Sequence, residues 1–257
     1  MARLGDGPLS KLRLLIVTTM GERWWPRGRS VSLQLRALGQ RFSCTIDDYT
    51  QLLALREVFI DHEYSIDDGI APATVLDLGS NIGASLMYFR LRYPQARLIG
   101  FEPDPLVFAR LERNMAQFGA VEIVNAAVAG TGGKLTFFRY PRHSWASSLM
   151  PLWGITSDQI AVPARTLDDV IDDLGLDSVD LLKIDIEGAE WDVLPNFRQI
   201  DKVRTVIGEV HRIGEDAPSD LLHCLSDFRI SVLLATDTIV RFVATRTDDR
   251  RPAPNAT

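Results

Sequence analysis

The sequence predicts an α/β fold of the doubly wound kind, with a mostly parallel seven-stranded sheet and helices on both faces. Three observations predict it. The stretch Thr74 to Pro103 reads as strand, glycine turn, helix and second strand, with an acid at the tip of that second strand. Val179 to Leu194 repeats the theme, a buried strand leading through an acidic, glycine-bearing turn into a helix. Near the C-terminus, Ile230 to Leu234 and Ile239 to Ala244 flank a Thr-Asp-Thr turn and read as the antiparallel pair that closes such a sheet.

The chain has 257 residues, enough for one α/β domain with additions. We expect an N-terminal extension over 1–70 packing on the core, a domain over 71–245, and a flexible tail over 246–257. A formal net charge of −6 argues against a nucleic-acid backbone as the main partner. The two cysteines, Cys44 and Cys224, have no metal-ligand spacing and read as reduced thiols. The apolar run Leu14 to Val17 is too short to span a bilayer, and no small-residue cleavage site follows it. A cytoplasmic protein with no membrane span is expected.

Along the chain, a short strand is expected from Leu14, and Trp24-Trp25-Pro26-Arg27 forms an aromatic-basic cluster before an amphipathic segment, Val31 to Leu38. The tryptophans are compatible with a homodimer surface. Thr50 to Phe59 has helical spacing. Val75 to Leu78 is a strand, Ala84 to Tyr93 a helix that Pro94 stops, and Arg97 to Phe101 the next strand. Pro103 to Phe118 is helical with Gly119 as C-cap, and Val121 to Val124 a third parallel strand. Lys134 to Tyr140 alternates as an edge strand. The weakly periodic loop of 141–163, with His143, Trp145 and Trp153, is expected to face a substrate. Ile160 to Arg165 (strand), Leu167 to Leu174 (helix), Leu181 to Ile184 (strand) and Val203 to Val210 (strand) follow.

The turn Asp77-Leu78-Gly79-Ser80-Asn81-Ile82-Gly83 lets backbone approach a ligand, and the helix behind it offers free N–H groups. Glu102, about twenty residues on, suits a ribose diol. A dinucleotide site would need a third glycine and would not place an acid before the first, where it repels a pyrophosphate. Asp77 instead suits an ammonium group. S-adenosylmethionine has an ammonium, a carboxylate and a ribose but no phosphate. Pro103 continues the turn, and Asn125 and Ala126, at the end of the third strand, fall where an adenine would be read.

These motifs resemble the FkbM family of methyltransferases. The carrying residues are Glu57-Val58-Phe59 with Tyr64, the Asp77 to Gly83 turn, Phe101-Glu102-Pro103, Asn125-Ala126-Ala127-Val128, Thr166-Leu167-Asp168-Asp169, and above all Lys183-Ile184-Asp185-Ile186-Glu187-Gly188-Ala189-Glu190. The likeness covers about residues 50 to 212. Pro195 departs from it, because the family usually has glycine there. The resemblance implies a Rossmann-like class I methyltransferase with extra N-terminal and mid-chain elements. It also implies O-methylation of a hydroxyl on a sugar, a glycosylated compound or a polyketide-type secondary metabolite.

Methyl transfer to a hydroxyl needs the oxygen in line with the sulfonium and help in losing its proton. Lys183, Asp185 and Glu187 follow one strand, Glu209 and His211 the next. His211 at its ordinary pKa would serve as a base, with the carboxylates as rivals and His143 as a third candidate. Asp185, Glu187 and Glu209 could instead hold Mg²⁺ or another divalent cation, and Asp185 also edges the cofactor site. Lys183 has the alternative of pairing with an acid. Two other functions stay open: N-methylation, whose Asn/Asp-Pro-Pro-Tyr motif is missing after the fourth strand, and a non-catalytic cofactor-binding module.

Overall fold

In a computed structural model, which describes residues 1–20, 25, 30–66, 71–140, 147–149 and 157–247, the N-terminal segment forms α1 (Pro8–Met20). The strand expected from Leu14 is therefore a helix. Pro8 suits a first helical position, and Leu14 is fully buried while Leu12, Leu15 and Ile16 are exposed, which is one-sided helical burial rather than strand alternation. Next come β1 (Val31–Ala37) and β2 (Gln40–Ile46), an antiparallel hairpin turning at Leu38 and Gly39, both at positive φ. Then α2 (Tyr49–Phe59) is capped by Asp48, whose carboxylate accepts from the Gln51 N–H at 2.9 Å.

The core runs β3 (Thr74–Leu78), α3 (Ala84–Arg92), β4 (Arg97–Phe101), α4 (Pro105–Met115), β5 (Glu122–Val124), β6 (Ala127–Val128), β7 (Gly133–Arg139) and β8 (Asp158–Arg165). It continues with α5 (Leu167–Asp173), β9 (Val179–Ile184), α6 (Glu190–Asn196), β10 (Val203–His211), β11 (Phe228–Ala235) and β12 (Ile239–Arg246). Seven strands pair in the order β11-β12-β10-β9-β3-β4-β5, and only β12 runs against its neighbours. Strand order reverses between β3 and β9, so a crevice opens beyond their C-terminal ends. All six residues of β9 are buried, as befits a strand covered on both faces.

β6, β8 and β7 form a separate three-stranded sheet with β7 at its edge. The hairpin and α2 join the core through one cluster in which Leu33, Leu35, Phe42, Leu55 and Phe59 meet Leu86 and Phe89 of α3. Asn114 of α4 ties the two together, accepting from Thr45 N–H and donating to Ile82 O at 3.0 Å. At the other end, Arg246 belongs to β12 rather than to a tail, because its guanidinium donates to Val203 O and Ile200 O and lies over the Phe228 ring. Pro195 sits in the last turn of α6, with Phe197 as C-cap.

Among the described residues, no helix is long and apolar enough to cross a membrane. Trp25 and Trp191 are half-buried: Trp25 donates to Asp47 O and Trp191 to His211 O. Trp24, His143, Trp145, Trp153 and the tail beyond Thr247 lie outside the described residues.

Candidate active site

A cavity of about 580 Å³ opens at the C-terminal ends of β3, β4, β9 and β10. Gly79, Ser80, Asn81, Glu102, Pro103 and Ala126 line one side, and Lys183, Asp185, Glu187, Glu209 and His211 the other. Three residues expected to touch the cofactor, Asp77, Gly83 and Asn125, are not in its wall. Each instead shapes it from behind.

Asp77 is fully buried in β3, where a bare carboxylate would be costly. Its Oδ1 lies 3.2 Å from Lys183 Nζ, and its Oδ2 accepts from Ser85 Oγ at 2.5 Å. Lys183 also donates to Leu78 O at 3.1 Å and Gly79 O at 2.8 Å, so its ammonium fixes the start of the glycine turn. Burial pulls the Lys183 pKa down, but Asp77 and then Asp185 outweigh it and hold the net shift upward. In this arrangement Asp77 answers the ammonium of Lys183. Lys183, expected among the catalytic groups, is likewise engaged in holding the turn.

Gly79 has φ +80, and a Cβ built there would sit 2.0 Å from Asp185 O. Only glycine permits that crossing of β3 and β9 backbones. Gly83 caps α3 at φ 95, with Leu111 and Met115 against it. Asn125 Nδ2 donates to Glu102 O and Pro103 O, bracing the turn after β4.

Glu102 is buried at the cavity wall, accepting from Asn81 N–H at 3.0 Å and Asp104 N–H at 2.9 Å. Burial pushes its pKa up to about 8, with the two backbone donors acting downward. Asn81 is in the same wall, and its Oδ1 is buried with no hydrogen-bond partner among the described residues. A ribose has hydroxyls for both. Two carboxamide and carboxylate acceptors, a helix start and a glycine turn with no third glycine fit S-adenosylmethionine better than a pyrophosphate-bearing dinucleotide.

Opposite them, His211 at the end of β10 meets three carboxylates. Its Nδ1 is 3.3 Å from Glu190 Oε1, and its Nε2 lies 3.4 Å from Glu187 Oε2 and 3.6 Å from Glu209 Oε2. Burial works against its charge, but the Glu190 hydrogen bond and then Glu187 raise its pKa to about 10. The carboxylates around it therefore move His211 off the ordinary imidazole pKa expected from the sequence. Glu187 is the group that burial raises well above the carboxylate range, despite His211. Its backbone is left-handed at φ 54, an uncommon state for a non-glycine residue, and Gly188 beside it has φ 99. Asp185 accepts from Tyr64 OH at 2.7 Å, and Lys183 and His211 overcome burial to lower its pKa.

The cation set expected over Asp185, Glu187 and Glu209 is rearranged. Asp185, Glu209 and His211 bring one ligand atom each within 4.8 Å of one another, while Glu187 faces the imidazole.

A family model described as "Methyltransferase FkbM domain" matches residues 77–229, more than half of the chain and the span that builds this cavity. The chain belongs to the FkbM methyltransferase family. It is 32% identical over 212 residues to the AMB antimetabolite synthetase AmbE of Pseudomonas aeruginosa, covering 67% of this chain and 10% of that protein. The present chain thus spans about a tenth of that relative's length. It is 32% identical over 187 residues to methyltransferase sdnD of Sordaria araneosa, covering 60% of this chain and 72% of that one. Among solved structures, a methyltransferase FkbM from Methylobacillus flagellatus is similar at 18% identity and a TM-score of 0.48, covering 94% of this chain and 56% of that one.

Within this member of the FkbM methyltransferase family, four site residues had no role assigned from sequence. Glu63 and Arg241 pair at 3.2 Å, and Arg241 also donates to Glu209 Oε1 at 2.7 Å. Tyr64 was visible only as part of the family resemblance. Glu190, whose sequence reading was part of the acidic motif, is fully buried and accepts from Ile186 N–H and Gly188 N–H, each at 2.8 Å. The local signal for it was the acid-glycine turn two residues upstream.

Proposed function

We propose that this FkbM-family protein is an S-adenosylmethionine-dependent O-methyltransferase acting on the hydroxyl of a small molecule, of the sugar, glycosylated or polyketide kind. The observation that carries the reading is one cavity with two unlike walls. One has Glu102, Asn81 and the glycine turn, suited to ribose and backbone contact; the other has Glu187, Glu209 and His211, suited to a hydroxyl and its proton. The cofactor supplies an electrophilic methyl group on a sulfonium.

The protein's own residues do the rest. Lys183 and Asp77 hold the Gly79 turn against the ligand. Glu102 accepts from the ribose hydroxyls. Glu187 lies 3.4 Å from His211 Nε2, so the two stand together where the acceptor's proton must be received, Glu187 as the accepting carboxylate and His211 orienting it. Apolar Leu53, Val58, Leu149 and Ile239 on the cavity wall exclude water from the transfer. A divalent cation, Mg²⁺ among the candidates, is compatible with the acid wall.

The names of two relatives support the acceptor class: a 2-O-methyltransferase NoeI of Sinorhizobium fredii and a 31-O-demethyl-FK506 methyltransferase of Streptomyces tacrolimicus. The negative net charge supports a small molecule over a nucleic acid, and the ordinary composition a cytoplasmic setting. The test is incubation with methyl-labelled cofactor and a panel of hydroxylated small molecules, with mass analysis of products. Label on an oxygen supports the reading. Label on nitrogen would replace it with N-methylation, and cofactor binding with no transfer to any acceptor would favour a binding module.

A further inference from the structure

We infer that Asp185, Glu209 and His211 form the coordinating face of a binding site for a divalent transition-metal ion of the Mn²⁺ or Zn²⁺ type. This deepens the methyltransferase reading, on which its role in holding the acceptor oxygen rests. The three donors come from the ends of two adjacent parallel strands. Glu209 and His211 are two apart on β10 and so point to one side of it, and Asp185 follows β9 next door. One ligand atom of each falls within 4.8 Å of the others. A shared ion would need bond lengths of about 2.0–2.3 Å to each, so the three side chains would close in on it.

The arrangement around the trio is what distinguishes it from a chance gathering of acids. Each donor is braced on its far side by a different group. Tyr64 OH donates to Asp185 Oδ2 at 2.7 Å. Arg241 Nε donates to Glu209 Oε1 at 2.7 Å, and Glu63 holds Arg241 in turn at 3.2 Å, leaving Oε2 as the atom 3.6 Å from the imidazole. Fully buried Glu190 takes the His211 Nδ1 side at 3.3 Å, so Nε2 is the nitrogen turned toward the carboxylates. A carboxylate on the second imidazole nitrogen is the usual way of fixing a metal-ligating histidine.

A purely oxygen set would favour Mg²⁺ or Ca²⁺; replacing one oxygen by an imidazole shifts preference to the transition row. Three protein donors leave positions open, as a catalytic site requires, and an acceptor hydroxyl can take one of them. Glu187 Oε2, 3.4 Å from Nε2, is near enough to serve as a fourth donor or to receive the proton of a bound hydroxyl.

The test is metal titration of chelator-stripped, full-length protein with MnCl₂, ZnCl₂ and MgCl₂, by calorimetry and by electron paramagnetic resonance of Mn²⁺. One tight site is expected, with Mg²⁺ weaker by at least about tenfold and a nitrogen coupling on Mn²⁺ that H211A abolishes. E190Q should weaken binding by about 10–100-fold through the imidazole's orientation. Circular dichroism melts show that each variant is folded, and Y64F serves as a milder variant should H211A not fold. Absence of a stoichiometric Mn²⁺ or Zn²⁺ site, or a site whose affinity and nitrogen coupling survive H211A, would overturn the assignment. Cofactor titration of the same stripped protein separates the two claims. Cofactor binding without a metal site sinks only this inference, and a metal site without cofactor binding sinks only the methyltransferase reading.

Discussion

Asp77 and Lys183 form an ion pair of 3.2 Å in which both side chains are essentially sealed, at 0% and 2% exposure. The pair lies under the glycine turn, between adjacent strands in register. Removing one partner leaves the other charge buried and unanswered. Lys183→Met should therefore destabilise the fold by about 3–5 kcal/mol, measured by denaturant unfolding. Adding Asp77→Asn should recover a large part of that loss. A single variant of unchanged stability would mean that the pair is not what holds the turn.

Glu102 gives the ligand-free protein a pH signature. Its folded pKa, about 8, lies above the unfolded value near 4.5 because burial disfavours the charge. Its contribution is thus fully present below the unfolded pKa and is lost as pH rises through the folded one. Glu102→Gln removes this dependence. The melting temperature of the variant relative to the natural protein should rise by a few degrees between about pH 4.5 and pH 8 and then level off. A constant difference across that range would contradict the buried carboxyl.

Gly79→Ala should eliminate cofactor binding. The added methyl meets Asp185 O at 2.0 Å, and φ +80 is unfavourable to alanine independently of space. Loss of binding in a protein that still melts cooperatively is the expected result of calorimetry paired with a thermal scan.

The two thiols should separate cleanly. Cys44 is buried with its pKa pushed up to about 12 by desolvation, whereas Cys224 is half-buried. In native protein a disulfide reagent should consume one equivalent at Cys224, and Cys44 should react only on unfolding. Rapid reaction of both would show that the β1–β2 hairpin opens away from α4.

The parts of the fold that were legible in the sequence are those with local causes. The β3 turn, α3, β4 and the β9-to-α6 turn carry their periodicity, glycines and acids within a few residues of one another. Glu102 and Ala126 could be placed because strand ends are where an open sheet binds ligands. Asp77 was read as suiting the ammonium of a ligand; its structural partner Lys183 lies one strand over and far along the chain, and local spacing does not show such pairs. The same reason hid Arg241, which reaches Glu209 from the antiparallel strand β12 and Glu63 from the segment after α2. The surroundings of His211 were hidden for the same reason, because its ordinary pKa says nothing of the three carboxylates that converge on it. The strand expected from Leu14 failed because a short apolar run has no period of its own.

The central claim is that the cavity beside Glu102 holds S-adenosylmethionine. Calorimetric titration with that compound and, separately, with NAD tests it most directly, repeated on Glu102→Ala. Binding of S-adenosylmethionine alone, weakened at least about tenfold in the variant, is expected from the loss of the hydrogen bonds between the Glu102 carboxyl and the ribose. Binding of NAD, binding of neither, or binding indifferent to Glu102 would contradict it.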